Sequence, residues 1–134
     1  MKRRDAVYTI TLSITGVASL THCTSSPSEK SKIDHKDKEL INSISKAILP
    51  LKSESFKTPE SRIEFILNQV EGGLTGKEIE KYKSGLLNLK NQITTSNPAG
   101  FDSLNFKIKN QILLNALDSE NDIGFFMRKT RQWS

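Results

Sequence analysis

Cysteine and histidine, the side chains most often used for nucleophilic and metal chemistry, are confined to the first 35 residues of the chain. Cys23 is the only cysteine, and the two histidines are His22 and His35. A Cys/His zinc site, a Cys–His nucleophile pair or a C-x-x-C-H haem attachment therefore cannot form in the residues that follow. His35 stands alone among charged residues and is predicted to be solvated. We expect no catalytic residue, no cofactor-binding residue and no metal ligand in this chain.

The segment from Gly72 to Lys77 imitates a phosphate-binding loop. Glu71 occupies the position of the required first glycine, and Glu78 follows the lysine where Ser or Thr is needed. An acidic residue there would repel phosphate, so we interpret the segment as the end of one helix followed by the capped start of the next.

Three acidic residues at alternate positions, Asp118, Glu120 and Asp122, imitate the start of a calcium loop. Ile123 lies where the loop needs Gly, and Lys129 lies where it needs a bidentate Glu. The acids are better explained as residues at helix ends.

Other charged clusters also lack a specific chemical pattern. The glutamates beside an apolar stripe are expected to face water, and the basic residues near the C-terminus are expected to decorate a helix surface, with contact to an acidic partner as the alternative. These residues are Glu60, Glu64 and Glu71, and Arg128, Lys129 and Arg131.

The length and composition predict one small domain with a small hydrophobic core. The chain has 134 residues, of which 35% are hydrophobic, and single domains usually have roughly 100–200 residues. This apolar share is below the roughly 45–50% of typical globular domains, a scale that also counts Gly, so part of the surface is predicted to be covered by a partner. The net charge is +5, but positive and negative residues are interleaved. We therefore expect no nucleic-acid binding.

Residues 1–22 are predicted to be an export signal. A basic start with the pair Arg3-Arg4 precedes a moderately apolar run from Ala6 to Leu20, and this order is similar to a twin-arginine signal, the route for proteins exported already folded. Fifteen helical residues span about 22 Å, less than the roughly 30 Å hydrocarbon core, so a permanent transmembrane anchor is the weaker alternative.

Cys23 follows the apolar run and precedes a Ser-rich stretch, as in a lipoprotein processing site. Attachment of a diacylglycerol to its sulfur would anchor the chain to a membrane. His22 departs from the small residue that normally precedes the cysteine, and the alternative is an unmodified thiol in a discarded signal. Residues 23–37, rich in Ser, Lys and Asp, are predicted to form a flexible tether.

The remaining residues, 38–134, are predicted to form a helical domain, and the whole fold is assigned to the all-α class as a bundle of four to five helices. Apolar residues recur at helical spacing in each segment, and Gly85 inside one of them predicts the close approach of another helix. The segments run from Lys38 to Leu51, from Thr58-Pro59-Glu60 to Gly72-Gly73, from the capping box Thr75/Glu78 to the polar cluster at 94–98, from Asp102 through Ile108 to Leu117, and from near Asp122 to the end.

The order of several short motifs resembles the gluconate 2-dehydrogenase subunit 3 family over nearly the whole chain. The motifs are Arg3-Arg4-Asp5-Ala6, Ile48-Leu49-Pro50, Glu64-Phe65-Ile66, Gly85-Leu86 with Leu89, Gln111-Ile112-Leu113, and Phe125-Phe126. Two features depart from the family pattern. The usual Pro-Gly-Ala turn after the first helix is replaced by the segment 51–56, and no family-like segment follows Trp133-Ser134, so the chain is expected to be a truncated or short divergent member.

The resemblance implies a non-catalytic accessory subunit of an oxidoreductase complex, exported to the periplasm and associated with the membrane through a lipid on Cys23. The partner would be a large FAD-dependent subunit of the glucose-methanol-choline type that oxidises a sugar or sugar acid, and a cytochrome c subunit with haem c would pass electrons onward. This chain would bind no cofactor itself and would assist folding, co-export and stability of the flavin subunit. Phe125, Phe126 and Trp133 are the expected partner contacts. The alternative is a free-standing, membrane-anchored lipoprotein that acts as an interaction module.

Overall fold

A computed structural model describes residues 32–50 and 59–134 of the chain. Within them the backbone forms five α-helices and one short 3₁₀ turn, with no β-strand. The all-α prediction is therefore confirmed. The elements are α1 (His35–Ile48), α2 (Arg62–Gly73), α3 (Gly76–Ser96), the 3₁₀ turn (Phe101–Ser103), α4 (Phe106–Asp118) and α5 (Asp122–Trp133).

The predicted capping box at the start of α3 is present. The Thr75 side chain accepts a hydrogen bond from the Glu78 backbone N–H, and the Glu78 carboxylate accepts one from the Thr75 backbone N–H at 2.9 Å. Two backbone donors at the helix start are thereby satisfied. The Thr75 N–H, and after it the Thr75 hydroxyl, both donate to the Glu78 carboxylate and hold the pKa of Glu78 below its ordinary value.

Three other predicted helix starts were wrong, each because a nearby residue makes the cap. Asp34 accepts a hydrogen bond from the Asp37 N–H, so α1 begins inside the range 23–37 expected to be a tether. A second capping box, Ser61/Glu64, starts α2 downstream of the predicted Thr58-Pro59 start. Asn105 caps α4, and the predicted start, Asp102, lies in the 3₁₀ turn.

The last helix is the centre of the bundle. α5 packs against each of the other four helices, and its most extensive contact is with α3. Its inner side buries Ile123, Phe126, Met127 and Thr130. The stability of every other helix therefore depends in part on α5.

The contact between α3 and α5 is close enough to require glycine. A Cβ atom added to Gly85 would lie 2.1 Å from the Asp122 carbonyl oxygen at the start of α5. The expectation that Gly85 marks the close approach of another helix is confirmed.

Two arginine side chains donate hydrogen bonds to backbone carbonyls at the end of a neighbouring helix. Arg62, the first residue of α2, donates to the backbone carbonyls of Ser45 and Leu49 at the end of α1, at 3.1 and 2.6 Å. Arg128 of α5 donates to the carbonyls of Leu117 and Ser119 at the end of α4, at 3.1 and 3.0 Å. Carbonyl groups at a helix C-terminus have no partner within the helix and carry partial negative charge, so a guanidinium group is a suitable donor.

Candidate functional site

The three aromatic residues expected to contact a partner lie in two different environments. Phe126 is fully buried, and its ring lies 4.8 Å from the ring of Tyr82 in an edge-to-face arrangement. It belongs to the core of the domain, and its role as a partner contact stays a prediction. Phe125 and Trp133 are half-buried and remain accessible.

Two lysine side chains lie over these accessible rings. The Lys81 Nζ atom is 5.1 Å from the centre of the Phe125 ring, and the Lys129 Nζ atom is 5.8 Å from Phe125 and 5.9 Å from Trp133. These distances are within the range of cation–π attraction. We refer to Lys81, Phe125, Lys129 and Trp133 as the aromatic–lysine face.

The aromatic–lysine face packs on the core through the ring of Tyr82. The ring of Trp133 lies 6.2 Å from that of Tyr82, which is fully buried between α3 and α5. Phe125, Lys129 and Trp133 follow one another at intervals of four residues along α5. Residues at this spacing lie on one side of a helix, so the face is a continuous strip of α5 flanked by α3.

The C-terminal basic residues of α5 make different contacts. Arg128 is engaged with backbone carbonyls at the end of α4, Lys129 belongs to the aromatic–lysine face, and Arg131 is exposed. At 100° per residue, positions 128 and 131 lie about 60° apart and share one side of α5, away from the strip through Lys129. As expected, the three residues lie on a helix surface, and each has different neighbours.

Exposed apolar side chains on α4 form a second candidate surface. Phe106 is 73% exposed and Leu114 is 61% exposed, although both are large hydrophobic residues. We refer to these two residues as the α4 apolar pair. Ile108, which was predicted to join the buried stripe of this helix, is also exposed, at 45%.

The α4 apolar pair was not predicted from the sequence. The available signal was Leu113-Leu114, because adjacent residues on a helix are 100° apart, so at most one of them can lie at the centre of the buried side. Leu113 is buried and Leu114 is not. Phe106 is the first residue of α4, where a side chain projects beyond the packed part of the helix.

The segments that imitate ligand-binding loops are helix junctions. Gly72 and Gly73 end α2, and Thr75 caps α3. Asp118 ends α4 and Asp122 begins α5. Both interpretations as helix boundaries are confirmed.

Three glutamates lie in α2 or just before it, and two of them accept hydrogen bonds from nearby residues. Glu64 and Glu71 are exposed, whereas Glu60 is half-buried and accepts a hydrogen bond from the Asn68 side chain at 2.7 Å. The Ser61 N–H and hydroxyl, which bind the Glu64 carboxylate, lower the pKa of Glu64. His35 is exposed as predicted, with its Nδ1 atom 3.5 Å from the Glu39 carboxylate.

Two further observations concern metal binding and membrane insertion. The described residues contain no group of three or more His, Cys, Asp and Glu side chains placed to hold a metal ion. In the ranges 32–50 and 59–134, no helix has the length and apolar character needed to cross a bilayer. Arg3, Arg4 and Cys23 lie outside the described residues.

No protein-family model matches this sequence, and no curated protein and no solved structure matches it significantly. The resemblance based on short motifs therefore stays a prediction. Within the described residues, the observations relevant to function are two surfaces, the aromatic–lysine face and the α4 apolar pair.

Proposed function

We propose that this chain is the non-catalytic small subunit of an exported, FAD-dependent sugar or sugar-acid dehydrogenase complex. In this proposal it binds the large flavin subunit of the glucose-methanol-choline type and assists its folding, its co-export through a twin-arginine-like signal and its stability. The flavin subunit holds FAD, and a cytochrome c subunit with haem c receives the electrons. The complex is periplasmic and is held at the membrane by a lipid on Cys23.

The observation that carries this proposal is the exposure of the α4 apolar pair. Isolated exposed leucines are common on protein surfaces, but a phenylalanine that is 73% exposed, on the same helix as a leucine that is 61% exposed, leaves much apolar area in water. Aromatic side chains contribute strongly when they fill a pocket of a partner. A second protein that covers α4 would remove this apolar area from water. The low apolar content of the chain also predicts that a partner covers part of its surface.

The test is co-expression of the tagged chain with the flavoprotein encoded beside it. We expect the tagged chain to purify with a flavin-containing protein. The double variant Phe106→Ser/Leu114→Ser is expected to fold, because neither side chain is buried, and to lose at least 90% of the bound flavin absorbance. Leu87→Ser is the matched control, because Leu87 is 54% exposed on α3 and its replacement should leave the complex intact.

Two outcomes would overturn the proposal. One is a wild-type chain that purifies alone and without flavin. The other is a double variant that keeps the full flavin content of the wild type, which would show that the α4 apolar pair does not bind the flavin subunit.

A free-standing lipoprotein that acts as an interaction module is the second candidate, and one observation favours it. Among the described residues, every buried side-chain nitrogen and oxygen atom has a hydrogen-bond partner within the chain. Such a domain needs no second protein to satisfy the hydrogen bonds of its buried side chains. This candidate predicts a stable monomer whose deletion leaves periplasmic dehydrogenase activity unchanged, whereas the subunit proposal predicts loss of that activity.

A further inference from the structure

We propose that the aromatic–lysine face is a docking surface for the anionic headgroups of a phospholipid membrane. The proposal concerns Lys81, Phe125, Lys129 and Trp133 and does not depend on the identity of any partner subunit. It also does not depend on modification of Cys23.

The geometry combines the two kinds of side chain that interact with a bilayer surface. Phe125 and Trp133 are half-buried, so each ring keeps one part in the protein and presents another part to the outside. Tryptophan is enriched at the level of lipid headgroups, and phenylalanine is common on the apolar side of helices that lie on a membrane. The ammonium groups of Lys81 and Lys129 lie within 6 Å of these ring centres, where they can meet lipid phosphates while the rings contact the headgroup–acyl boundary.

Both lysines are available for an external anion. Among the described residues, the salt bridges involve His35 with Glu39 and Lys90 with Asp37, so neither Lys81 nor Lys129 is part of one. The carboxylate that Lys129 influences is that of Glu78. The Glu78 carboxylate already accepts hydrogen bonds from the Thr75 N–H and hydroxyl, each at 2.9 Å, so Lys129 does not provide its main contacts.

The identity of the cations favours lipid over protein as the occupant. Lysine is depleted in the buried centre of protein–protein interfaces, whereas arginine is enriched there. Lysine is common on the polar side of surfaces that lie on membranes, because its flexible stem keeps the charge in water while its methylene groups pack on apolar neighbours. On this face both cations are lysines, and the arginine nearest in sequence, Arg128, is bound to carbonyls of α4.

The sole tryptophan of the chain gives a local measurement of this contact. The full chain is titrated with vesicles of 30% phosphatidylglycerol in phosphatidylcholine, with vesicles of phosphatidylcholine alone, and with polyglutamate as an acidic polypeptide. We expect the emission of Trp133 to shift to shorter wavelength with the anionic vesicles, and the shift to be lost in high salt, because screening weakens attraction between exposed charges.

Paired substitutions separate this face from general basicity. Each lysine near an anionic surface contributes about fivefold in affinity, so Lys81→Gln/Lys129→Gln should weaken vesicle binding by about 25-fold. Lys38→Gln/Lys46→Gln removes the same charge at two exposed positions of α1 and should change the affinity by less than about twofold. Circular dichroism verifies that both double variants are folded.

Three outcomes would overturn the proposal. The first is an unchanged Trp133 emission with anionic vesicles. The second is an equal loss of binding in the two double variants, which would assign it to net charge. The third is a response to polyglutamate but not to vesicles, which would assign the face to an acidic protein. A Trp133 shift that requires anionic lipid, Lys81 and Lys129 supports it.

Discussion

The hydroxyl oxygens of Tyr82 and Thr130 lie 2.9 Å apart in the centre of the bundle. Tyr82 belongs to α3 and Thr130 to α5, and both residues are fully buried. Each hydroxyl gives the other a hydrogen-bond partner where water is excluded. Burial raises the pKa of Tyr82 well above its ordinary value, so the phenol keeps its proton and the pair remains neutral. The most extensive helix contact of the bundle thus contains one specific polar pair among apolar side chains.

Replacing either hydroxyl of this pair should lower the free energy of unfolding by more than half of the loss caused by replacing both. Tyr82→Phe or Thr130→Val leaves one buried hydroxyl without its partner, and each should destabilise the fold by about 1–3 kcal/mol. The double variant should lose clearly less than the sum, since it leaves no unpaired hydroxyl. Urea unfolding of the four proteins measures this difference, and strictly additive losses would contradict the proposed pairing.

The contact of Gly85 with the start of α5 predicts a large effect of a single methyl group. In Gly85→Ala the new Cβ would overlap the Asp122 carbonyl, and backbone atoms cannot move aside as a flexible side chain can. We expect a loss of about 1–3 kcal/mol or more, as in overpacked cores. Thermal and urea unfolding measure the loss.

Gly72 supplies the control for this substitution. It also lies in a helix, α2, but a Cβ atom there would meet nothing within 4 Å. Gly72→Ala should therefore stabilise the fold by about 0.4–1 kcal/mol, because alanine has less freedom to lose on folding. Equal effects of the two substitutions would show that Gly85 is not at a close contact.

A helix start could be predicted where a few consecutive residues determine it. It could not be predicted where several neighbouring residues can each cap the helix. The Thr75/Glu78 capping box requires only four consecutive residues and was predicted correctly. The starts of α2 and α4 were misplaced because several cap-forming residues lie within a few positions of each other. A single cap contributes only about 1 kcal/mol, and Asn, Asp and Ser are nearly equal as caps, so packing of the following helix decides which one is used.

The candidate site shows the same limit. Phe125 and Phe126 differ by 100° around α5; the spacing of Ile123, Phe126 and Met127 favours Phe126 for the core, but how far Phe125 remains accessible depends on the neighbouring helices. The role of Arg128 was also beyond prediction, because it depends on how the turn between α4 and α5 places two carbonyls. In both cases the decisive information is the position of α5 among four other helices.

The two capping boxes predict a loss of stability in acid. Hydrogen bonds from the cap residues lower the pKa of Glu64 and Glu78 in the folded state. Their contribution is therefore present above the ordinary glutamate pKa of about 4.3, and it is lost as the pH falls through the lowered folded values. Unfolding free energies measured by urea at several pH values below 5 should decrease more steeply for the wild type than for Glu64→Gln/Glu78→Gln.

Glutamine is the appropriate replacement because it can still complete a capping box but does not titrate there. Glu71→Gln is the control, since Glu71 is an exposed residue of α2 that takes no part in a cap. An acid dependence that is the same in the double variant and the wild type would contradict this assignment.

Arg128 and Arg131 provide the sharpest comparison of two chemically identical residues, because they lie three positions apart on α5 and make different contacts. The Arg128 guanidinium holds two carbonyls at the end of α4, whereas the Arg131 side chain is exposed. Arg128→Met keeps most of the stem and leaves these carbonyls to water, so it should destabilise the fold by about 1–2 kcal/mol. Arg131→Met should change stability by no more than about 0.5 kcal/mol. Both variants lose one positive charge, so net charge cannot explain a difference in their urea midpoints, and equal midpoints would mean that Arg128 does not link α5 to α4 in solution.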